Sequence, residues 1–439
     1  MAFLSKSARM ALGNGKNMNT KNLLNSGFKG FPLTAEPCQV EDIGRYGWSL
    51  YKDDLPYPMA VIKQAELEHN LQWMQAYAAE RDILIAPHGK TTMSPQLFHR
   101  QLDLGAWGLT FATVFQVNAG LEAGAKRIII ANQVVSDADL DNLAFILKRD
   151  PELRIWFLVD SVAQVEQIES WVGRRAGAQQ FDCLLEVGIE GQRTGIRTFA
   201  QAMELAERIG RSDTLTLGGL ECYEGGLAHC HTEHDSKEVA SLMARVEEIA
   251  RECDRHGLFQ YEQIIISAGG SAVFDLVVPG LKLALSKPVA GILRSGCYVT
   301  HDHDFYSKML RNVEQREGLK ASLLPALEVW SMVQSVPEPG LAILSCGKRD
   351  ISYDLSMPVV ANYAPKGSMQ KQEAPAGWII SALNDQHAYL RFPQDAVAPK
   401  VGDRVILGIS HPCTTFDKWT WLPVVSETGV VVSAISTRF

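Results

Sequence analysis

The sequence predicts an α/β protein in which a (β/α)8 barrel is followed by a C-terminal β domain. The chain has 439 residues, which is more than a single hydrophobic core usually holds, so two domains are expected. From about Met59 to Val299, short β-rich runs alternate with helical runs, a pattern typical of strand–helix units around a parallel sheet. After roughly Asp304, strand-like runs follow one another without clear amphipathic helices between them.

Nine runs are candidates for barrel strands, one more than an eight-stranded barrel can hold. They are Met59 to Lys63, Ile83 to Ala86, Gly108 to Ala112, Arg127 to Ala131, Ile155 to Val159, Cys183 to Val187, Leu215 to Cys222, Ile264 to Ala268 and Ala290 to Leu293. Apolar residues at helical spacing separate them, as at Leu67, Leu71, Met74 and Ala78. We therefore expect the first or the last of the nine to be peripheral or shared with the other domain.

The C-terminal part is predicted to be all β. Its strand-like runs are Leu327 to Val336, Gly340 to Ser345, Trp378 to Asn384, His387 to Phe392, Arg404 to Ile409 and Gly429 to Ser433. Turn residues separate them, for example Pro339-Gly340 and Gly402-Asp403. The predicted limits are an N-terminal extension over 1–55 that packs partly on the β domain, the barrel over 56–303 and the β domain over 304–439.

Composition narrows the function classes. The net charge of −8, without a long basic run, gives no general attraction to nucleic acid or to an anionic membrane. The eight cysteines are scattered, without a C-x-x-C pair, and are expected to be reduced thiols. No apolar run approaches the length of a spanning helix, and the first residues lack a secretory signal. We expect a cytoplasmic protein that acts on a small molecule.

Lys90 is the first candidate for chemistry. Four mostly apolar residues, Ile83 to Ala86, run directly into Pro87-His88-Gly89-Lys90. A lysine at the end of a buried barrel strand points into the mouth, where the active sites of such barrels lie. An amine partly removed from water there loses much of its preference for being charged, and a neutral amine can attack a carbonyl. A solvated lysine at a strand end is the alternative.

His411 and Cys413 form the second candidate. In extended structure, a His-x-Cys pair places both side chains on one face, close enough to share a metal ion. Imidazole and thiolate together favour Zn²⁺ over Mg²⁺ or Ca²⁺. Two ligands do not complete a site, and a buried cysteine belonging to the core is the alternative.

Six segments, taken together and in order, resemble the D-serine dehydratase and D-threonine aldolase family of pyridoxal-phosphate enzymes. They are Pro87-His88-Gly89-Lys90-Thr91, Glu190-Gly-Gln-Arg193-Thr-Gly195, Gly219-Leu-Glu-Cys-Tyr223-Glu-Gly225, Ser267-Ala-Gly-Gly-Ser271, Arg294-Ser-Gly-Cys-Tyr298-Val299 and His411-Pro-Cys413. The resemblance covers about residues 50 to 430. It implies the alanine-racemase-like fold, called fold type III, and commonly a homodimer.

The resemblance also implies roles for individual residues. Lys90 would form the Schiff base with pyridoxal phosphate and act as the base at Cα, with His88 helping to orient the cofactor. Arg193 and Tyr223 would lie beside the cofactor ring. The phosphate would be held by Gly269, Gly270, Ser271, Gly296 and Tyr298, because glycines let backbone N–H groups approach oxygens and hydroxyls add donors.

His411 and Cys413 become, by the same resemblance, ligands of Zn²⁺ at the barrel mouth. In this family His-x-Cys resembles the dehydratases and His-x-Asp the threonine aldolases. The implied enzyme is a lyase of the D-serine dehydratase type, which eliminates the hydroxyl of a D-3-hydroxyamino acid to give a 2-oxo acid and ammonia. An aldolase and a non-catalytic pyridoxal-phosphate protein remain alternatives. Gly89, Ala86 and Thr92-Met93 depart from the family pattern.

Overall fold

The structure, a computed structural model, describes residues 22–175, 180–229 and 232–439. Its first part is a barrel of eight parallel strands. They are Leu84–Ile85, Leu109–Phe111, Arg127–Gln133, Arg154–Val159, Phe181–Val187, Leu215–Cys222, Ile264–Ala268 and Val289–Leu293. Each strand pairs with the next in the chain except the first two, and the last pairs with the first. A bridge between His88 and Thr110 closes the ring, so the predicted fold class is confirmed.

Helices cover the barrel. They are Gln64–Glu80, Pro95–Asp103, Val114–Glu122, Asp137–Arg149, Val162–Gly173, Phe199–Gly210, Thr232–Arg255, Phe274–Leu281 and Phe305–Glu317. Four of them begin at a hydroxyl residue that accepts a hydrogen bond from the third residue of the helix: Thr113, Ser136, Ser161 and Thr198. Such a cap stabilises a helix by about 1 kcal/mol. Three of these helices begin within four residues of the strand before them, and the helix capped by Thr198 follows a longer loop.

Aromatic side chains fill the end of the barrel opposite the cavity. Trp156 lies with its ring centroid 5.4 Å from that of Trp107 and 6.1 Å from that of Tyr261. Trp107 and Tyr261 stand just before their strands begin, so the three rings occupy the amino-terminal end of the sheet. The open end is therefore the carboxyl-terminal end, where the barrel's loops gather.

The second sheet is built around the long strand Leu327–Glu338. Its other strands are Met59–Lys63, Leu341–Leu344, Val359–Ala364, Gln372–Glu373, Ile379–Leu383, Ala388–Arg391, Arg404–Gly408, Trp421–Val425 and Val431–Ser436. Met59–Lys63 pairs with Leu327–Glu338 and with Trp421–Val425. The expectation that the first of nine candidate strands is shared with the other domain is thus confirmed.

The expectation of no amphipathic helix after Asp304 is wrong. Phe305–Glu317 follows the last barrel strand and is bound to the barrel by Arg316, which forms an ion pair with Asp275 at 2.6 Å. Its buried residues Met309, Leu310 and Val313 recur at helical spacing, and Gly318 ends it with a φ of 66°. Near the predicted barrel limits of 56 and 303, one strand thus pairs in the second sheet and one helix packs on the barrel.

The segment before the barrel packs on the β domain through backbone hydrogen bonds. Leu50 N donates to Gly429 O at 3.0 Å, and Val431 N donates to Trp48 O at 2.8 Å. The 3₁₀ segments Val40–Tyr46 and Leu50–Lys52 and the short strands Leu23–Leu24 and Cys38–Gln39 belong to this extension. Its first 21 residues lie outside the described part of the chain.

Candidate active site

A cavity of about 580 Å³ opens at the carboxyl ends of the barrel strands, within the range of small-molecule sites. Its lining includes nearly all of the residues singled out from the sequence: His88, Lys90, Arg193, Tyr223, Gly269, Gly270, Ser271, Gly296, His411 and Cys413. A larger groove of about 740 Å³ lies between two barrel helices and holds none of them. The cavity at the barrel mouth is therefore the candidate site.

Lys90 is half-buried in the 3₁₀ turn Gly89–Thr91, directly after the first barrel strand. The turn lies against two aromatic rings: a Cβ at position 89 would be 2.9 Å from Cζ of Phe98 and would overlap Cε1 of Phe111. The glycine that departs from the family pattern is therefore required by the packing beneath it. That close packing fixes where the lysine leaves the backbone.

His88 lies behind the lysine and stays neutral. Its pKa is well below the usual value because of burial, and the positive charges of Lys90, Arg294 and Arg193 lower it further. A neutral imidazole at this place can accept or donate a hydrogen bond without adding charge to the cavity.

Arg193 and Tyr223 form one wall. The guanidinium carbon of Arg193 lies 4.1 Å from the centre of the Tyr223 ring, a cation–π contact. Tyr223 is largely buried, and burial raises the pKa of its phenol, which therefore stays protonated. The wall thus presents a flat aromatic face and a cation, groups suited to the plane and to an oxygen of an aromatic cofactor.

The glycine loop after the seventh strand does not present its amides as predicted. The backbone N–H of Gly269 donates to Oε2 of Glu224 at 3.1 Å, and that of Gly270 donates to Oε1 of the same carboxylate. Gly269 has a φ of +100°, a conformation that favours glycine. The two glycines therefore tie this loop to the Tyr223 loop, and their N–H groups are already used.

Ser271 and Gly296 remain as donors for a phosphate. The Ser271 hydroxyl accepts a hydrogen bond from Cys297 N at 3.1 Å and keeps its own proton to donate. A Cβ at Gly296 would overlap the carbonyl oxygen of His88, so only glycine allows the eighth strand's loop to approach the Lys90 turn this closely.

Tyr298 does not line the cavity, contrary to the sequence-based expectation. It is buried, and its hydroxyl accepts a hydrogen bond from Nε2 of Gln101 at 2.9 Å. The reason is the 3₁₀ turn Cys297–Val299, in which successive side chains point about 120° apart. This turn brings Cys297 to the cavity and directs Tyr298 away from it.

The cavity floor contains an ion pair that the sequence did not reveal. Arg294 is 4% exposed and contacts the carboxylate of Glu221, which is 1% exposed. Burial raises the pKa of Glu221 to about 7. Arg294 lines the cavity, and its buried Nε has no hydrogen-bond partner among the described residues.

The metal pair comes from the β domain, but not in extended structure. His411 lies just beyond the strand Arg404–Gly408, and Cys413 begins the one-turn helix Cys413–Phe416. The predicted strand geometry of His-x-Cys is therefore wrong, although both side chains line the same cavity. Because the chain turns at Pro412, His411 reaches the cavity from the segment after the strand and Cys413 reaches it from the first residue of the helix.

Asp354 orients His411. Its Oδ2 lies 2.6 Å from Nδ1 of His411, and its Oδ1 accepts from the Thr414 hydroxyl at 2.6 Å. Burial alone raises the pKa of Asp354, but these hydrogen bonds hold it below its ordinary value. A carboxylate on Nδ1 fixes the tautomer that leaves Nε2 free to bind a metal, as second partners of zinc-binding histidines do.

Cys413 lies beside a second cysteine. Its Sγ is 3.7 Å from Sγ of Cys297 and 3.4 Å from Oγ1 of Thr91. A hydrogen bond from Cys297, aided by Thr91 and the charge of Lys90, lowers the pKa of Cys413 to about 7. Tyr306 lines the cavity next to them, and the neighbouring Cys297 raises its pKa. The sequence-based selection missed Thr91, Cys297 and Tyr306.

The residues present fit both groups that the fold family implies. A lysine, an aromatic wall, two guanidinium groups and a serine suit pyridoxal phosphate, and an oriented imidazole next to a low-pKa thiol suits zinc. Among the described residues, no group of three His, Cys, Asp or Glu side chains is arranged so that it could hold a metal ion. In the same part of the chain, no helix is long and apolar enough to span a membrane.

The barrel and the site together define a class of protein. Residues 62–284, about half of the chain, match the alanine racemase N-terminal domain, and residues 326–425 match a putative serine dehydratase domain. The chain therefore belongs to the alanine-racemase-like family of pyridoxal-phosphate enzymes of fold type III.

Within that family, the curated relatives include both aldolases and a dehydratase. A D-threonine aldolase of Arthrobacter sp is 29% identical over 85% of this chain and 90% of its own length. The D-threo-3-hydroxyaspartate dehydratase of Delftia sp. (strain HT23) is 26% identical over 82% of this chain and 92% of its own. Sequence similarity thus does not separate the two reactions.

Solved structures share the fold. The D-threonine aldolase of Filomicrobium marinum has a TM-score of 0.74 at 23% identity, covering 89% of this chain and 97% of that one. The Delftia dehydratase has also been solved as a cysteine-to-alanine variant in the metal-free form, with a TM-score of 0.67 at 22% identity over 88% and 98% of the two chains.

Proposed function

We propose that this protein is a zinc-assisted, pyridoxal-phosphate-dependent lyase that eliminates water from a D-3-hydroxyamino acid and yields a 2-oxo acid and ammonia. One observation carries the proposal: a single cavity brings Lys90 from the barrel together with His411 and Cys413 from the β domain. An amine for covalent chemistry and ligands for a Lewis acid are the two parts that this elimination needs.

The residues would act on two bonds of the substrate, the Cα–H bond and the bond between Cβ and the hydroxyl oxygen. When bound, pyridoxal phosphate supplies an aldehyde that joins the amino group and a ring that accepts the electron pair left at Cα. Lys90 would hold the cofactor and act as the base that takes the proton from Cα. Arg193, Tyr223 and Arg294 would lie beside the ring, while Ser271 and Gly296 would bind the phosphate.

His411 and Cys413 act at the β-carbon. They would hold zinc, whose Lewis acidity would make the substrate hydroxyl a better leaving group. Loss of the Cα proton and the β-hydroxyl removes one water, and hydrolysis of the released enamine adds one water and frees ammonia. The balance needs no oxidant or reductant.

Aldol cleavage is the second candidate, because the Arthrobacter relative is a D-threonine aldolase. The same cavity would break the Cα–Cβ bond and release glycine and an aldehyde. Cys413 favours elimination, since the family resemblance associates His-x-Cys with dehydratases. The metal-free cysteine variant of the Delftia dehydratase supports a metal site in that relative.

The test is a panel of D-serine, D-threonine and D-3-hydroxyaspartate, with ammonia and aldehyde measured in parallel. Elimination predicts ammonia and 2-oxo acid, with loss of the rate after chelation and recovery on adding Zn²⁺. Aldehyde together with glycine would transfer the assignment to the aldolases. If the protein binds the cofactor but forms neither ammonia nor aldehyde from any of the three amino acids, the assignment would change to a non-catalytic pyridoxal-phosphate protein.

A further inference from the structure

We propose that Cys297 is a third protein ligand of the metal, so that the site is His411, Cys413 and Cys297 with one position left for the substrate. The inference rests on the proposed function, because it concerns the metal that acts there. Catalytic zinc sites usually have three protein ligands and one open position. His411 and Cys413 account for two of these ligands, and the third must come from another side chain that lines the cavity.

The spacing of the two sulfurs fits a shared ion. Two thiolates bound to one tetrahedral zinc at about 2.3 Å stand about 3.8 Å apart. Sγ of Cys297 and Sγ of Cys413 are 3.7 Å apart. The sulfurs are therefore already at the separation that the metal imposes. Because the described residues form no ready three-ligand group, the imidazole of His411 would have to turn toward the sulfurs when the metal binds.

Distance alone does not settle the point, because ordinary packing produces the same value. Sγ of Cys222 lies 3.7 Å from Sδ of Met243 in a buried contact. The two pairs differ in their surroundings: Cys297 and Cys413 line a cavity that also contains Lys90 and His411, whereas Cys222 is not part of that lining. A metal can reach the first pair, and the second has a thioether partner in the core.

The position of Cys297 is fixed by backbone contacts rather than by the contact with Cys413. Its N–H donates to the Ser271 hydroxyl at 3.1 Å. Gly296 lies against the carbonyl of His88, so the loop cannot shift toward the Lys90 turn. The thiol is therefore held at the cavity before any metal binds, as a ligand on a rigid loop should be.

The experiment replaces the bound metal by Co²⁺ in the purified, cofactor-loaded enzyme and measures thiolate-to-cobalt charge-transfer absorption per bound cobalt. The wild type should show the intensity of two thiolates. Cys297→Ala and Cys413→Ala should each show about half of it, and the matched control Cys222→Ala should match the wild type. Cys297→Ser, which keeps the side-chain volume, repeats the test if the alanine variant is unfolded.

Competition with a chelator gives a second readout. Loss of an outer partner of a zinc ligand lowers metal affinity by about 10- to 100-fold, so loss of Cys297 should lower it by at least about 100-fold. Full charge-transfer intensity and unchanged affinity in a folded Cys297 variant would overturn the inference alone. A halved band in an enzyme that transforms none of the D-3-hydroxyamino acids would support this ligand and refute the proposed reaction. A wild type that binds no metal would overturn both.

Discussion

The two walls of the cavity are built in different ways. The barrel wall consists of short turns, each leaving the carboxyl end of its own strand. Close packing fixes it, against two phenylalanine rings at Gly89 and against the His88 carbonyl at Gly296. The β-domain wall depends on side-chain hydrogen bonds, such as that between Asp354 and His411, 57 residues apart. The first wall is set by strand geometry and the second by contacts distant in sequence. Each should therefore fail separately when it is changed.

Lys90→Ala should have the largest effect on the reaction. Without its amine the cofactor has no covalent anchor and Cα no base, so the visible absorption of bound cofactor should disappear and ammonia release should fall by about 10³-fold or more. The zinc content should stay close to that of the wild type, because His411, Cys413 and Cys297 all remain, although loss of the Lys90 charge removes one of the causes that lower the pKa of Cys413. Absorption spectra and metal analysis check both. Lys148→Ala, an exposed lysine on a barrel helix, is the control, and an unaltered spectrum in Lys90→Ala would refute the assignment.

Asp354→Asn should produce the reverse pattern. The amide can no longer act as a charged acceptor for Nδ1 of His411, so we expect zinc affinity to fall by about 10- to 100-fold. Cofactor absorption should persist. Metal titration against a chelator measures the change, and a variant that retains zinc as tightly as the wild type would show that His411 needs no such partner.

Glu224→Ala should weaken the connection within the barrel wall. It removes the acceptor of two backbone N–H groups, and leaving buried donors unpaired costs about 1 to 3 kcal/mol. The glycine loop should then hold the phosphate less firmly, which we expect as an increase in the cofactor Kd with little change in metal content. Equilibrium dialysis of the cofactor tests this. A tighter Kd would instead mean that Glu224 competes with the phosphate for these amides.

Gly89→Ala tests the packing beneath Lys90 and should have the smallest effect on chemistry but a clear one on stability. Its Cβ would collide with Phe111 and Phe98, and overpacking of this kind costs about 1 to 3 kcal/mol. Urea unfolding of the protein checks the loss. In Gly173→Ala, the added Cβ meets no described atom within 4 Å, so that variant should be as stable as the wild type. Equal stability of both variants would contradict the role given to Gly89.

The barrel wall was largely predictable from the sequence. Its strands are short apolar runs separated by helical periodicity, and polar residues directly after a strand must gather at one end of a parallel barrel. Lys90 lies in the cavity as this pattern predicts, and Arg193, Tyr223 and Ser271, which the family resemblance singled out, line it as well. The roles implied by the family resemblance still need the experiments above.

The remaining features depended on geometry that spacing does not encode. Cys297, and not Tyr298, lines the cavity because the two residues lie in a 3₁₀ turn that the sequence pattern does not indicate. This turn directs Cys297 toward the cavity and Tyr298 toward Gln101. Cys297 and Cys413 are 116 residues apart, so no local pattern pairs them. The helix Phe305–Glu317, by contrast, carried a readable signal, the helical spacing of Met309, Leu310 and Val313 before Gly318.

The strand Met59–Lys63 has a consequence for how the protein is made. Four of its five residues are buried, yet its neighbours in the sheet, Leu327–Glu338 and Trp421–Val425, are synthesised only after the whole barrel. During translation this apolar strand therefore stays unpaired until its two partner strands have been synthesised. The barrel wall can form while synthesis continues, whereas the β-domain wall is completed only when the last residues have emerged, so a prematurely truncated chain would carry Lys90 without His411 and Cys413.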